Sequence, residues 1–222
     1  MRRLAVFAIA LFTLTLTVPL FAQKQFSAEF VDSGNDSELH RAKVYVGDHK
    51  LRIEPEGGQT NSPMTPTAIV MDGSGQNSFA VIDSQRIVVE NFMNGMRHTL
   101  PEAMATMDLN DPCGSINKWH EEHKNLSQNT QLSNCKNLGT EKVNGRTATK
   151  WQATNGEGQT GYFWIDPELH YMIKTDTADG NHMNLENIQV GSQPASLFEP
   201  PAGYRQLTMQ QIMQEQMGRK MR

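Results

Sequence analysis

The chain has 222 residues, 37% of them hydrophobic and 20% charged, with a formal net charge of -4. That length fits one domain able to bury a sizeable core. A mildly acidic chain without a basic stripe or aromatic-basic interleaving lacks the electrostatic footprint of a nucleic-acid binder, so no nucleic-acid partner is expected.

Arg2 and Arg3 precede an apolar run from Leu4 to Leu20, and Ala22 is a small residue placed for cleavage. This is the charged, greasy and small-residue order of a secretory signal peptide over residues 1–22. A membrane-spanning helix is the alternative, but Thr13, Thr15, Thr17 and Pro19 weaken a span and no positive cluster follows. No cysteine follows the run, so no lipid attachment point is expected. The predicted product is periplasmic or secreted and does not span a membrane after cleavage.

From residue 23 to 206 the pattern predicts a single domain. Phe26, Ala28 and Phe30 alternate with polar positions as a first strand. Val44 and Val46, then Leu51 and Ile53, flank Gly47-Asp48, a hairpin spacing in which the glycine is expected to supply a positive φ. Residues 68–71 and 78–82 flank a glycine-rich connection as a second hairpin, and residues 86–90 continue the meander. That glycine-rich connection lacks the lysine and following helix of a phosphate cradle.

The middle differs in kind. Pro101 opens a run of good helix formers, and Ile116 and Trp119 fall at helical spacing after Cys113, so a helical insert is predicted over about 101–126. Cys113 and Cys135 are the only cysteines. An oxidising compartment permits them to form a disulfide, the alternative being two free thiols. His120 and His123 are three apart with acids between, whereas the zinc-protease pattern sets them four apart; two ligands make no site, and no metal is predicted.

Asn144-Gly145 between two strand-like runs is the strongest hairpin signal in the chain. In the strand that follows, Tyr162 and Trp164 fall on one face and Phe163 and Ile165 on the other, so both faces require cover. Asp166-Pro167 and Asp179-Gly180 read as turns. Phe198 and Tyr204 bracket Pro200-Pro201, an extended exit that lets two aromatics anchor. Residues 207–222 read as a C-terminal helix or tail: Thr208 and Gln211 have capping-box spacing, and Met209, Ile212, Met213 and Met217 form a stripe.

No nucleophile elbow, cofactor fingerprint or outstanding carboxylate pair is present, so no catalytic residue and no cofactor is assigned. The fold class predicted is α+β: a strongly curved antiparallel sheet, a half-open barrel, with a helical insert and a C-terminal helix. Such a surface suits a hydrophobic ligand, with Trp151, Tyr162, Trp164 and Tyr171 as candidate lining residues.

The early strand Phe26 to Phe30, the pair Val44-Tyr45-Val46 and Leu51-Arg52-Ile53, the turn Val143-Asn-Gly-Arg146, Trp164-Ile-Asp-Pro167 and the exit Leu197 to Tyr204 together resemble the periplasmic lipoprotein-carrier (Lol-type) fold and related exported bacterial proteins of unknown function. In that family a helix precedes the first strand. Here helical cover must come from the insert or the C-terminal helix. The resemblance implies a non-enzymatic envelope protein carrying a lipid, acyl chain or lipoprotein; the alternative is an envelope structural or protein-interaction module without a small ligand.

Overall fold

The computed structural model describes residues 24–34, 41–57, 62, 64–72, 77–92, 107–122 and 132–220. The expected signal peptide and the start of the expected helical insert, residues 101–106, lie outside this set. The elements are β1 (Phe26–Asp32), β2 (Arg41–Val46), β3 (Lys50–Pro55), β4 (Ala68–Asp72), β5 (Ser78–Ile82), β6 (Ile87–Glu90), α1 (Pro112–Glu122), β7 (Leu132–Val143), β8 (Arg146–Asn155), β9 (Thr160–Asp166), β10 (Tyr171–Asp176), β11 (His182–Val190), β12 (Arg205–Thr208) and α2 (Met209–Lys220).

All twelve strands join one open sheet in the order β12-β6-β5-β4-β3-β2-β1-β11-β10-β9-β8-β7. Two sequential antiparallel meanders, β1 to β6 and β7 to β11, are stitched together where β11 returns to pair with β1. β12 then crosses the first meander and lies parallel to β6. Among the described residues the architecture is therefore dominated by the sheet, with two short helices set against it.

Local chemistry accounts for most joints. Asn144 (φ 50°) and Gly145 (φ 81°) both take the left-handed conformation that a mirror-image hairpin turn demands. Asn144 has a second role, since its side-chain amide donates to Leu185 O (2.8 Å) and Asn184 Oδ1 (2.9 Å), tying the β7–β8 turn to β11. The β2–β3 turn differs from expectation: the positive φ is at His49 (51°), within a turn closed by Gly47 N donating to Lys50 O. Gly47 is instead a point of close approach, because a Cβ there would stand 2.5 Å from the ring of the buried Phe198. The exit thus anchors through Phe198 packed on the glycine, while the Tyr204 hydroxyl donates to Asp83.

Two strands were not foreseen at their full extent. β7 runs for twelve residues, of which only 140–143 carry a strand pattern in sequence. It is an edge strand with two register shifts and Gly139 at φ 93°, so no alternation is imposed on it. β12 lies in a stretch expected to be exit and helix; its residues alternate too weakly to mark a strand.

The core forms three clusters. The first fills the inner side of β1–β3 with Phe26, Ala28, Val44 and Val46 and continues through Leu185, Ile173 and Leu169 to Trp164 and Ala148. The second contains Trp151, Ala153, Phe163, Ile165, Met172 and Cys113. The third gathers Ala80, Ile82, Ile87 and Val89 beneath Ile212 of α2. As β9's pattern requires, Trp164 and Phe163 are buried in different clusters, one on each face.

Asp166, at the end of β9, is 1% exposed. Its carboxylate accepts from the Arg146 guanidinium and from Glu168 N (2.8 Å) and Leu169 N (3.1 Å), so a buried charge is matched by one ion pair and two backbone donors. Arg146 also donates to Glu168 (3.0 Å). Asp166→Ala removes this acceptor and is expected to cost about 3 kcal/mol, at the low end for breaking a buried pair because Arg146 keeps Glu168. Asp166→Asn, which preserves an acceptor for the turn, should lose less, and urea titration of the two variants measures the difference.

Tyr171 meets Phe26 edge-on at 5.2 Å between ring centroids. Burial pushes its phenol from the ordinary 10.0 up to about 12. Between those values the unfolded chain gives up a proton that the folded chain retains, so stability falls as pH rises through the window and is unaffected below it. The expected loss is on the order of 2–3 kcal/mol, and Tyr171→Phe should flatten the decline measured by denaturant titration between about pH 10 and 12.

Candidate functional site

The candidate site is an open cleft between α1 and the ends of β8, β9 and β10. The sequence builds α1 in place by a proline start, a side-chain cap, a bridge and a clamp. Pro112 opens the helix where its missing N–H costs nothing, and Asp111 caps it by accepting from Gly114 N (2.9 Å). Gly114 makes room for this cap, since a Cβ there would overlap the Asp111 carboxylate at 2.0 Å. Cys113 is buried and bridged to Cys135 on β7. Asn117 then clamps the edge strand, donating to Leu132 O (2.9 Å) and accepting from Leu132 N (2.8 Å) as a neighbouring strand would.

This docking holds Ile116 opposite β8–β10 and leaves a cleft of ≈ 500 Å³, a size within the usual range for ligand sites. Ile116, Leu132, Ala153, Phe163 and Met172 form its apolar wall, and Asn155, Gln159, Thr175, Asp176 and Asp179 lie around the remainder. Asp176 accepts from Lys174 (3.1 Å) and meets His182 Nδ1 at 2.9 Å. Burial opposes its charged form, but the hydrogen bonds from His182 and Lys174 outweigh that cost and hold the carboxyl below its ordinary range. The Thr177 hydroxyl likewise lowers Asp179, so this side of the cleft keeps its negative charge.

The four aromatic residues expected to line a ligand surface are not brought to one face. Trp151 sits behind the cleft wall, stacked on Phe163 with 6.4 Å between centroids and 7° between planes. Its Nε1 is buried and has no hydrogen-bond partner among the described residues. Trp164, 1% exposed, belongs to the opposite face, where Lys150 Nζ lies 4.7 Å and Lys174 Nζ 4.3 Å from its ring centroid and its Nε1–H donates to Glu141. Tyr162 borders the cleft while its ring lies 6.3 Å from that of Trp164. Tyr171 packs in the first core cluster.

Sequence reading missed Ile116 with Met172, Ala153 and Thr175 as wall-formers. The alternation of β8 offered a signal for Ala153, whereas Met172 and Thr175 share a face only through the register shift between Met172 and Lys174 in β10, and the contribution of Ile116 depends on where the bridge sets α1. Of the histidine pair considered as metal ligands, His123 and the side chain of His120 lie outside the described residues. A second open cleft of ≈ 400 Å³ is bordered by Lys50, Asp72, Asn77 and Glu90 and is the more polar of the two.

No helix among the described residues is long and apolar enough to cross a membrane. No protein-family model matches the chain, and no curated protein matches it. Among solved structures it is similar to an uncharacterized conserved protein from Thermus thermophilus (10% identity, 85% of this chain and 92% of that one, TM-score 0.47). It is also similar to a chain of the Pseudomonas aeruginosa MucA/MucB complex (12% identity, 83% and 58% covered, TM-score 0.47). A third likeness is to the Mycobacterium tuberculosis lipoprotein LppX (14% identity, 78% and 88% covered, TM-score 0.36).

The Cys113–Cys135 bridge closes a separation of 22 residues, for which the chain-entropy relation gives about 3 kcal/mol. Replacing both cysteines by serine should lower unfolding free energy by about that amount in urea. Faster amide exchange in α1 than in β9 would show that the loss begins at the tethered helix.

Proposed function

We propose that this is an exported, non-enzymatic binding protein of half-barrel type whose cleft between α1 and β8–β10 takes an apolar chain such as an acyl group. The observation that carries this reading is the ≈ 500 Å³ opening with a continuous apolar wall from Ile116 and Leu132 to Phe163 and Met172. Burying alkyl carbons against such a wall releases about 0.8 kcal/mol per methylene, and no group on the wall itself offers chemistry beyond contact. The ionised Asp176 and Asp179 at the cleft favour a ligand whose polar end is neutral or cationic over a second carboxylate. Export is supported by the disulfide, which persists in oxidising compartments, and by the N-terminal pattern. The carrier-like fold is supported by the open twelve-stranded sheet with a helix set against each of two apolar clusters.

A second reading, an envelope protein-interaction module without a small ligand, is favoured by one feature: β7 is a twelve-residue edge strand with Leu138 41% exposed. Beyond Leu132, whose backbone Asn117 already holds, that edge is available for strand addition by another protein.

Fluorescent alkyl-amine and fatty-acid probes titrated into the purified chain separate the two. The cleft reading expects saturable binding that Thr175→Trp abolishes, since Thr175 faces the cleft beside Phe163 and strands accept tryptophan well. Absence of saturable binding by the unsubstituted protein, or equal binding by a folded Thr175→Trp variant, overturns it.

A further inference from the structure

We propose that the outward face of α2 is a binding site for a soft monovalent metal ion, Cu(I) or Ag(I), held by methionine thioethers. Met209, Met213 and Met217 recur every four residues along the helix and are 44%, 53% and 57% exposed. The sequence repeats the residue once more at Met221. Neighbours at this spacing share a helix face with Cβ atoms about 5–6 Å apart, and each methionine carries its sulfur on a long arm with three rotatable bonds. Two successive thioethers can therefore converge on one ion, and Met213 can serve with either neighbour.

The helix is not presenting these side chains because it is loose. Ile212, 6% exposed, pins its other side into the third core cluster. Thr208 and Gln211 form a reciprocal cap, Gln211 Oε1 accepting from Thr208 N (2.8 Å) and Thr208 Oγ1 accepting from Gln211 N (3.3 Å). Arg205 pairs with Glu215 at 3.0 Å. The stripe is thus held outward by a fixed helix, and its thioethers are left to solvent where the neighbouring positions 210, 211 and 214 are all glutamine.

The chemistry of the donor set selects the ion. Thioethers are soft, neutral ligands that favour Cu(I) over the oxygen-seeking Ca(II) and Mg(II) and over Zn(II), which takes imidazole or thiolate. They need no deprotonation, so binding is independent of pH near neutrality. Both cysteines of the chain are committed to the bridge, which leaves the methionines as its open sulfur ligands. This site is separate from the cleft between α1 and β8–β10 and does not depend on its occupant.

The test uses Ag(I), which carries the same charge and needs no reductant that would open the disulfide. The purified chain, labelled with 13C at the methionine methyls, is titrated with silver nitrate in chloride-free buffer and followed by NMR. Saturable shifts are expected at Met209, Met213 and Met217, with those of the buried Met71 and Met172 unchanged, and excess Zn(II) should not displace the ion. The triple variant Met209→Leu, Met213→Leu, Met217→Leu keeps an apolar helix face, so it separates a metal site from a protein-docking surface. Its apparent Ag(I) affinity should fall by about tenfold or more, at least what loss of a ligand's supporting group costs, with its circular dichroism unchanged. Shifts absent from the stripe, or equal Ag(I) affinity in the folded triple variant, overturn the proposal.

Discussion

A carboxylate taken out of water must be matched or it unfolds what surrounds it, and Asp166 is the place in this fold where that requirement organises the most structure. It closes β9, and its charge is met by Arg146 from the first residue of β8 and by the two backbone amides that form the turn into β10. Three strands are thereby fixed in register at one end. The next residues, Leu169 and Tyr171, are carried into the first core cluster, where Tyr171 meets Phe26 and links the second meander to the first strand of the chain. An Asp-Pro turn whose carboxylate were exposed would reverse the chain without joining the two halves.

The register set there places apolar residues on both faces of β9, and the two faces are covered by different means. On one side Trp164 is enclosed by the core and by Lys150 and Lys174, whose ammonium groups sit over its ring while its N–H is used by Glu141. Cation–π contact and a satisfied indole make that face closed and specific. On the other side Phe163, Met172 and Ala153 are covered, among the described residues, by α1 with Met107 and Leu109 before it, and α1 is held there by a bridge and an asparagine clamp at the edge strand. One short helix covers part of the face. Among the described residues the opening it leaves is the cleft, so the candidate site follows from a strand with two apolar faces, one of them covered in part.

The same economy appears at the far edge. β12 extends the first meander in parallel and delivers α2 directly, with Ile212, among the described side chains, as the buried contact of the helix on the third cluster. Met209, Met213 and Met217 lie away from that contact and are exposed. These methionines are consequently available for contact chemistry that a core position would forbid.

The sequence by itself determined the elements whose cause is local. Asn144-Gly145 needs positive φ at both positions, Thr208 and Gln211 can reach each other only at the start of a helix, and the alternation of β1 and β9 assigns faces residue by residue. It also determined that both cysteines had each other as their only intramolecular partner. Tertiary structure alone decided what depends on distant segments. Gly47 turned out to matter for Phe198, some 150 residues later, rather than for its own φ; β7 and β12 are strands because a neighbour's open edge pairs with them, and an edge strand carries little pattern of its own. It also decided that Trp151 and Trp164 lie on opposite faces, which follows from pairing Trp151 with Phe163, and that Ile116 forms a wall. Short-range steric and hydrogen-bonding demands are written in adjacent residues, whereas a cleft is the space left between segments brought together, and no residue encodes a space.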